Sequence, residues 1–130
     1  MNQLLKIGHR GAKGYEPENT LVSFQKALDL KLDGIELDVH LSSDGEIIVI
    51  HDETIDRTTN GKGFIRNITA LELKILGIPT LIEVLDLINC NCFVNIELKG
   101  IGTAKAVVDL IENYILVKNC NYTDFLVTSF

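Results

Sequence analysis

The sequence predicts an α/β fold, a β/α (TIM-type) barrel of which these 130 residues would form the N-terminal half. Short apolar segments typical of buried strands alternate with segments of helical periodicity, which indicates parallel β/α units. A complete eight-stranded barrel has typically ~250 residues, about twice the number here. Hydrophobic residues make up 46% of the chain and charged residues 23%, as in a folded globular domain rather than a disordered chain.

Five strands are predicted from short runs of aliphatic and β-branched residues that polar or glycine-containing segments separate. The predicted strands are residues 4–7, 35–41, 47–50, 93–98 and 124–128. The connection over residues 53–78 is the least regular part of the chain. An open half-barrel built from these strands would expose a free strand edge, through which the chain could associate with a second copy of itself.

Three helices are predicted between the strands from apolar residues spaced three and four apart. They cover residues 20–31, 80–88 and 103–115. Either Asn19 or Thr20 is the expected N-cap of the first helix. Thr80 and Glu83 match a capping box at the start of the second, and Thr103 is the expected cap of the third.

The formal net charge of −6 limits the classes of partner. Nucleic acid is not expected to bind, because its phosphates require a basic surface. An acidic site can hold an anionic substrate only if a cation lies between the two. The charge balance therefore favours a bound metal ion if the substrate is a phosphate ester.

The apolar segments are all too short to span a membrane. The N-terminal residues also lack the basic segment and long apolar segment of a secretory signal. We therefore expect no stable membrane insertion and a cytoplasmic location.

The chain has three cysteines, Cys90, Cys92 and Cys120. An odd number without a secretory signal argues against a disulfide framework. The spacing of Cys90 and Cys92 also differs from that of zinc sites. The sequence therefore predicts reduced thiols.

Two predicted strands each direct carboxylates to one face. Side chains alternate along a strand, so Glu36 and Asp38 share a face opposite a row of apolar residues. Glu97 lies on the corresponding face of a later strand, together with Asn95 and Lys99. Carboxylates that point into a barrel require a cation, and oxygen ligands suit Mg²⁺ or Ca²⁺.

A hairpin is expected to bring a histidine to these carboxylates. Asp44-Gly45 is a strong signal for a two-residue turn between two strands. Such a turn places Ser43 opposite Glu46 and, further along the ladder, Asp38 opposite His51. The two side chains would then point to the same face.

His9 and Arg10 directly follow the first predicted strand, at the end where barrel enzymes keep their active sites. Lys99 lies beyond Glu97 and could meet a phosphate there. Two further polar residues are interpreted as structural: Asn19 as a helix cap, and His40 as a structural or rim residue. Arg57, Thr58 and Thr59 could order the loop that follows His51.

The order of these motifs resembles that of the glycerophosphodiester phosphodiesterase family, from Ile7 to Phe130. The matching motifs are His9-Arg-Gly11, Pro17-Glu-Asn-Thr20, Glu36-Leu-Asp38, His51-Asp52 with Arg57-Thr-Thr59, Pro79-Thr-Leu81 and Asn95-Ile-Glu-Leu-Lys99. The resemblance implies a phospholipase-C-like β/α barrel. Residues 1–130 would form the family's domain without its C-terminal part.

The resemblance also implies the metal-dependent hydrolysis of small glycerophosphodiesters to glycerol 3-phosphate and an alcohol. By this similarity His9 and His51 match the catalytic histidines. Glu36, Asp38 and Glu97 match the ligands of a divalent metal ion. Arg10 and Lys99 match the cationic residues near the substrate phosphate.

Two alternatives remain open from the sequence. A related phospholipase D acting on lysolipids would require an exposed apolar surface near the barrel mouth, which the net charge does not favour. A truncated, inactive family member would bind only a divalent ion or a partner chain. Such a protein predicts weak metal affinity and no turnover.

Overall fold

A mostly parallel five-stranded sheet organises the computed structural model, which describes residues 3–129. Its strands are β1 (Ile7–His9), β2 (Gly34–Leu41), β3 (Ile47–Val49), β4 (Phe93–Leu98) and β5 (Phe125–Ser129). The helices are α1 (Leu21–Asp29), α2 (Ala70–Ile75), α3 (Leu81–Ile88) and α4 (Thr103–Lys118), with 3₁₀ turns at Ile65–Asn67 and Tyr122–Asp124. Strands β1, β2, β4 and β5 are parallel and adjacent in that order.

This topology confirms the predicted α/β class and its parallel β/α units. Strand β3 is the exception, because it pairs antiparallel with the C-terminal end of β2. Within residues 3–129 the sheet is open, with β1 and β5 on its outer edges. The same residues contain no helix long and apolar enough to cross a membrane.

The predicted alternation in β2 places its apolar residues against the helices. Ile35, Leu37 and Val39 are fully buried in a core that includes residues of α1, α3 and α4. The apolar stripe of α3 is buried in the same core, and both halves of its predicted capping box are formed. Burial stabilises the fold by roughly 1.5–3 kcal/mol for each large aliphatic side chain. The carboxylates of Glu36 and Asp38 lie on the opposite face of β2.

The first strand lies later in the chain than predicted. Residues 4–7 were expected to pair, but β1 begins at Ile7, and Leu4 and Leu5 are largely exposed. The reason is the extent of the partner strand, since β2 begins at Gly34, opposite Ile7. This shift brings His9 into the ladder, directly beside Glu36.

The predicted hairpin register is wrong by one residue. The loop contains three residues, with Gly45 in the left-handed region at φ +80°, and Ser42 pairs with Glu46. Such a loop adds a bulge residue that a two-residue turn lacks. His40 therefore faces Ile48, and the backbone N–H of Ile50 donates to the Asp38 carbonyl at 2.9 Å. Asp38 and His51 are not opposite each other.

The prediction of three reduced thiols is also wrong. The turn after α3 and the end of α4 bring Cys90 and Cys120 together, with Cα atoms 5.9 Å apart, and the two residues form a disulfide. Cys92 stays free, so an odd number of cysteines is compatible with one bridge. Burial raises the pKa of the Cys92 thiol to about 11.

Gly11 anchors the loop after β1, and we expect its replacement by alanine to destabilise the protein by about 2–4 kcal/mol. Its φ is +84°, and an added Cβ would overlap Ser23 Oγ and lie 2.9 Å from the Ser23 carbonyl carbon. The same hydroxyl accepts from Ala12 N–H and donates to the Arg10 carbonyl, so the loop would also shift. Denaturant unfolding measures the effect.

The matched control for this variant is Gly14→Ala, in the same loop, where no atom lies within 4 Å of the added methyl group. We expect this control to unfold at nearly the wild-type denaturant concentration. Equal stability of the two variants would contradict the proposed role of Gly11.

Candidate active site

Strand register brings the three predicted metal ligands together. Asp38 on β2 pairs with Glu97 on β4, and Glu36 lies one step earlier on the same face of β2. One carboxylate oxygen from each residue lies within 4.8 Å of the others. Asp38 is only 1% exposed and Glu36 only 9%, so water compensates little of this negative charge.

The chemistry of this cluster fits a divalent cation. Burial and the nearby charge of Asp38 raise the pKa of Glu36 to about 7. A cation bound between the three groups would remove this repulsion, and carboxylate oxygens are the ligands that Mg²⁺ and Ca²⁺ prefer. The residues present therefore fit the ion that the family resemblance implies, and Glu36, Asp38 and Glu97 would hold it.

The two predicted phosphate-binding cations lie at this cluster and contact its carboxylates. Lys99 Nζ lies 2.6 Å from Glu97 Oε1, and this hydrogen bond lowers the pKa of Glu97. The backbone N–H of Arg10 donates to Glu36 Oε1 at 3.1 Å, while its side-chain Nε lies 3.5 Å from Asp38 Oδ2. Both cations are thus within reach of any anion bound beside the carboxylates.

Asn19 belongs to the site rather than to the helix cap. Thr20 is the N-cap of α1, and its hydroxyl accepts from Ser23 N–H. Asn19 is buried, and its Nδ2 donates to Asp38 Oδ2 at 3.1 Å. Its φ of +54° aims the side chain back at β2, and asparagine tolerates this left-handed conformation better than most residues. The Pro17-Glu-Asn-Thr20 motif contains this asparagine, but the sequence does not show that its side chain reaches Asp38.

His9 lies beside the carboxylates at the end of β1. Its Nε2 is 4.0 Å from Glu36 Oε1, and its side chain is 59% exposed. Partial burial and the positive charge of Arg10 lower the pKa of His9. A histidine with a lowered pKa is largely neutral near pH 7, so His9 could accept a proton there.

His51 reaches the site although it is outside the β2–β3 ladder. Its Nδ1 lies 2.8 Å from Asp52 Oδ1. Because a carboxylate accepts, this bond places the proton of the neutral ring on Nδ1 and makes Nε2 the acceptor. His51 lines the same cavity as Asn19, whose side chain donates to Asp38 of the carboxylate cluster.

His40 contacts the backbone of His51 and helps to hold it in place, in agreement with the structural role inferred for His40. The ring is buried, and Nε2 donates to the His51 backbone carbonyl at 2.9 Å.

A cavity of about 270 Å³ opens beside His51. Its walls include Pro17, Ile50, Thr58, Thr59, Leu76 and Ile78.

Comparison with known proteins gives a consistent result. The model of the glycerophosphoryl diester phosphodiesterase family matches residues 9–122. A glycerophosphodiester phosphodiesterase of Caldanaerobacter subterraneus is 46% identical over 129 residues, an alignment that covers 85% of this chain and 53% of that protein. One from Bacillus subtilis is 34% identical and covers 99% of this chain and 53% of the relative.

Solved structures of glycerophosphodiester phosphodiesterases also superpose on this chain. The glycerophosphodiester phosphodiesterase of Thermotoga maritima superposes with a TM-score of 0.87 at 34% identity, over 100% of this chain and 56% of that one. An Oleispira antarctica phosphodiesterase in complex with the product sn-glycerol-3-phosphate gives a TM-score of 0.78 at 31% identity, over 95% and 56% of the two chains. The chain thus spans about half the length of the relatives it matches.

The predicted carboxylates and cations lie together at the carboxyl ends of the parallel strands, and both the family model and the solved structures match across them. This chain belongs to the glycerophosphoryl diester phosphodiesterase family.

Proposed function

We propose that this chain carries the metal-binding and acid–base residues for hydrolysing small glycerophosphodiesters to glycerol 3-phosphate and an alcohol. The observation that carries the proposal is the convergence of three carboxylates and a strand-end histidine on one face of the sheet. Family membership supports the reaction class. The product bound to the Oleispira relative supports the substrate class, for which glycerophosphocholine and glycerophosphoethanolamine are the proposed examples.

Glu36, Asp38 and Glu97 are the proposed ligands of one Mg²⁺ or Ca²⁺ ion. When bound, the ion supplies a positive centre that stabilises negative charge building up on the phosphoryl group. Arg10 and Lys99 are proposed to bind the remaining phosphate oxygens, exchanging part of their present carboxylate contacts for the substrate.

His9 and His51 are the proposed general acid and base. One accepts a proton from the nucleophile while the other donates a proton to the departing alcohol oxygen. The Asp52 contact leaves His51 Nε2 available for this transfer, and His9 sits beside Glu36. The cavity beside His51 offers space for the alcohol part of the substrate.

We expect the purified 130-residue chain to release glycerol 3-phosphate from glycerophosphocholine with Mg²⁺ or Ca²⁺, and to stop in excess chelator. Re-addition of the ion should restore the rate. The reason is that the ion is needed at the carboxylate cluster and is not needed for the chain to stay folded. The measurement is a coupled assay for glycerol 3-phosphate, with folding checked by circular dichroism in chelator.

A folded, ion-loaded chain without turnover would contradict the proposal. The chemistry would then belong to the longer relatives, and this chain would match the alternative of an inactive member that binds a divalent ion or a partner chain. The domain boundaries, self-association through the open strand edge and the cytoplasmic location stay predictions.

A further inference from the structure

Glu18 is held by two arginines from different parts of the chain. Arg10 Nη1 donates to Glu18 Oε2 at 2.9 Å. Arg57, 39 residues away from Glu18, donates through Nη1 to Oε1 at 2.7 Å and through Nη2 to Oε2 at 3.0 Å. The Glu18 side chain is 11% exposed, and the hydrogen bonds from Arg57 lower its pKa to about 2. Glu18 is therefore a carboxylate at every pH at which the protein would work.

Arg57 also binds a second carboxylate. Its Nε donates to Asp52 Oδ2 at 2.9 Å, and Nη2 donates to Asp52 Oδ1 at 3.0 Å. The same Asp52 Oδ1 accepts the proton of His51 Nδ1. An unbroken series of charge-assisted contacts thus runs from His51 through Asp52, Arg57 and Glu18 to Arg10.

Backbone pairing relates the two ends of this series only indirectly, because each end is placed relative to β2. Arg10 follows β1 and His51 follows β3, and both strands pair with β2 but not with each other. The Arg10 backbone is held to β2 through Glu36 and the His51 carbonyl through His40. Arg57 adds the direct side-chain link between the two loops. Only the planar guanidinium has a fork that can bind two carboxylates at once, whereas a lysine ammonium is a point charge.

We propose that Arg57 and Glu18 act as positioning residues that clamp the two loops, so that Arg10 and His51 face the same phosphodiester. The inference rests on the proposed function for its catalytic consequence. Neither the Arg57 nor the Glu18 side chain is proposed to touch a reacting atom. They act by holding the Asp52 carboxylate against His51 and the Arg10 guanidinium beside Asp38.

The test compares Arg57→Gln, Arg57→Lys and Glu18→Gln with Arg66→Gln as the matched control. Arg66 is an exposed arginine of the same connecting segment, stacked on Phe64 and outside the network. Two readouts are needed: steady-state kcat and KM with glycerophosphocholine, and ¹⁵N NMR of the His51 ring above neutral pH, which reports the nitrogen that carries the proton.

We expect Arg57→Gln to lower kcat by about 10–100-fold with a smaller change in KM, as for misplacement of a catalytic group. The fraction of His51 protonated at Nδ1 should fall in the same variant. Arg57→Lys should restore neither readout although it keeps the charge, Glu18→Gln should lower kcat, and Arg66→Gln should match wild type.

Unchanged His51 ring signals in folded Arg57→Gln would overturn the proposal that Arg57 positions His51. Recovery of kcat and the ring signals in Arg57→Lys would overturn it as well, because a point charge would then be enough. If wild type shows no turnover, the proposed function fails, while the ring signals still decide whether Arg57 positions His51. Should Arg57→Gln not fold, Arg57→Lys and Glu18→Gln give the same decision.

Discussion

Replacement of His51 by alanine is expected to lower kcat for glycerophosphocholine by about 10²–10⁴-fold, the usual contribution of a positioned general acid or base. The loss should appear in kcat, because proton transfer takes place in the transition state. The side chain is 32% exposed, so its removal leaves little buried space and the fold should persist. Initial rates at saturating substrate measure the effect.

Two controls separate loss of chemistry from loss of structure. Asn113→Ala changes an exposed side chain of α4 that does not line the cavity, and it should keep the wild-type kcat. Divalent-ion affinity of the His51→Ala protein should also match wild type, because His51 is not a proposed ligand. A kcat within threefold of wild type in His51→Ala would show that this histidine transfers no proton in the slow step.

Replacement of Asp38 by asparagine is expected to abolish tight binding of the divalent ion. The side chain keeps its size and stays beside Asn19 and Arg10, but one of three clustered negative charges is lost. The loss of affinity should exceed the roughly 10–100-fold that follows removal of a supporting partner of a ligand. Calorimetric titration with Mg²⁺ and with Ca²⁺ measures it.

The matched control for Asp38 is Glu46→Gln, which removes a carboxylate from the exposed hairpin and so changes the net charge equally. It should bind the ion as wild type does. If the two variants bind equally well, the ion is not held by the carboxylate cluster.

Residues on one strand could be predicted well, because strand periodicity alone decides which side chains share a face. Glu36 and Asp38 followed from this rule, and the β2–β4 register then brought Glu97 to them. The register of the hairpin was predicted wrongly for a local reason. Gly45 adds a left-handed bulge residue, and a shift of one residue moves every later side chain to the other face.

Contacts between distant loops could not be predicted in this way. The pairing of Glu18 with Arg57 spans 39 residues, and neither residue lies on a periodic element. The sequence motifs marked both positions, but only the fold shows that one guanidinium joins two carboxylates. The Cys90–Cys120 bridge is a similar case, since the turn after α3 and the end of α4 meet only in three dimensions.

The measurement that tests the central claim most directly is ³¹P NMR of glycerophosphocholine incubated with the ion-loaded wild-type chain and, separately, with Asp38→Asn. We expect the diester signal to be replaced by the phosphomonoester signal of glycerol 3-phosphate with wild type, and to persist with the variant. Persistence of the diester with folded wild type, or equal conversion by both proteins, would contradict a metal-dependent phosphodiesterase site built on Glu36, Asp38 and Glu97.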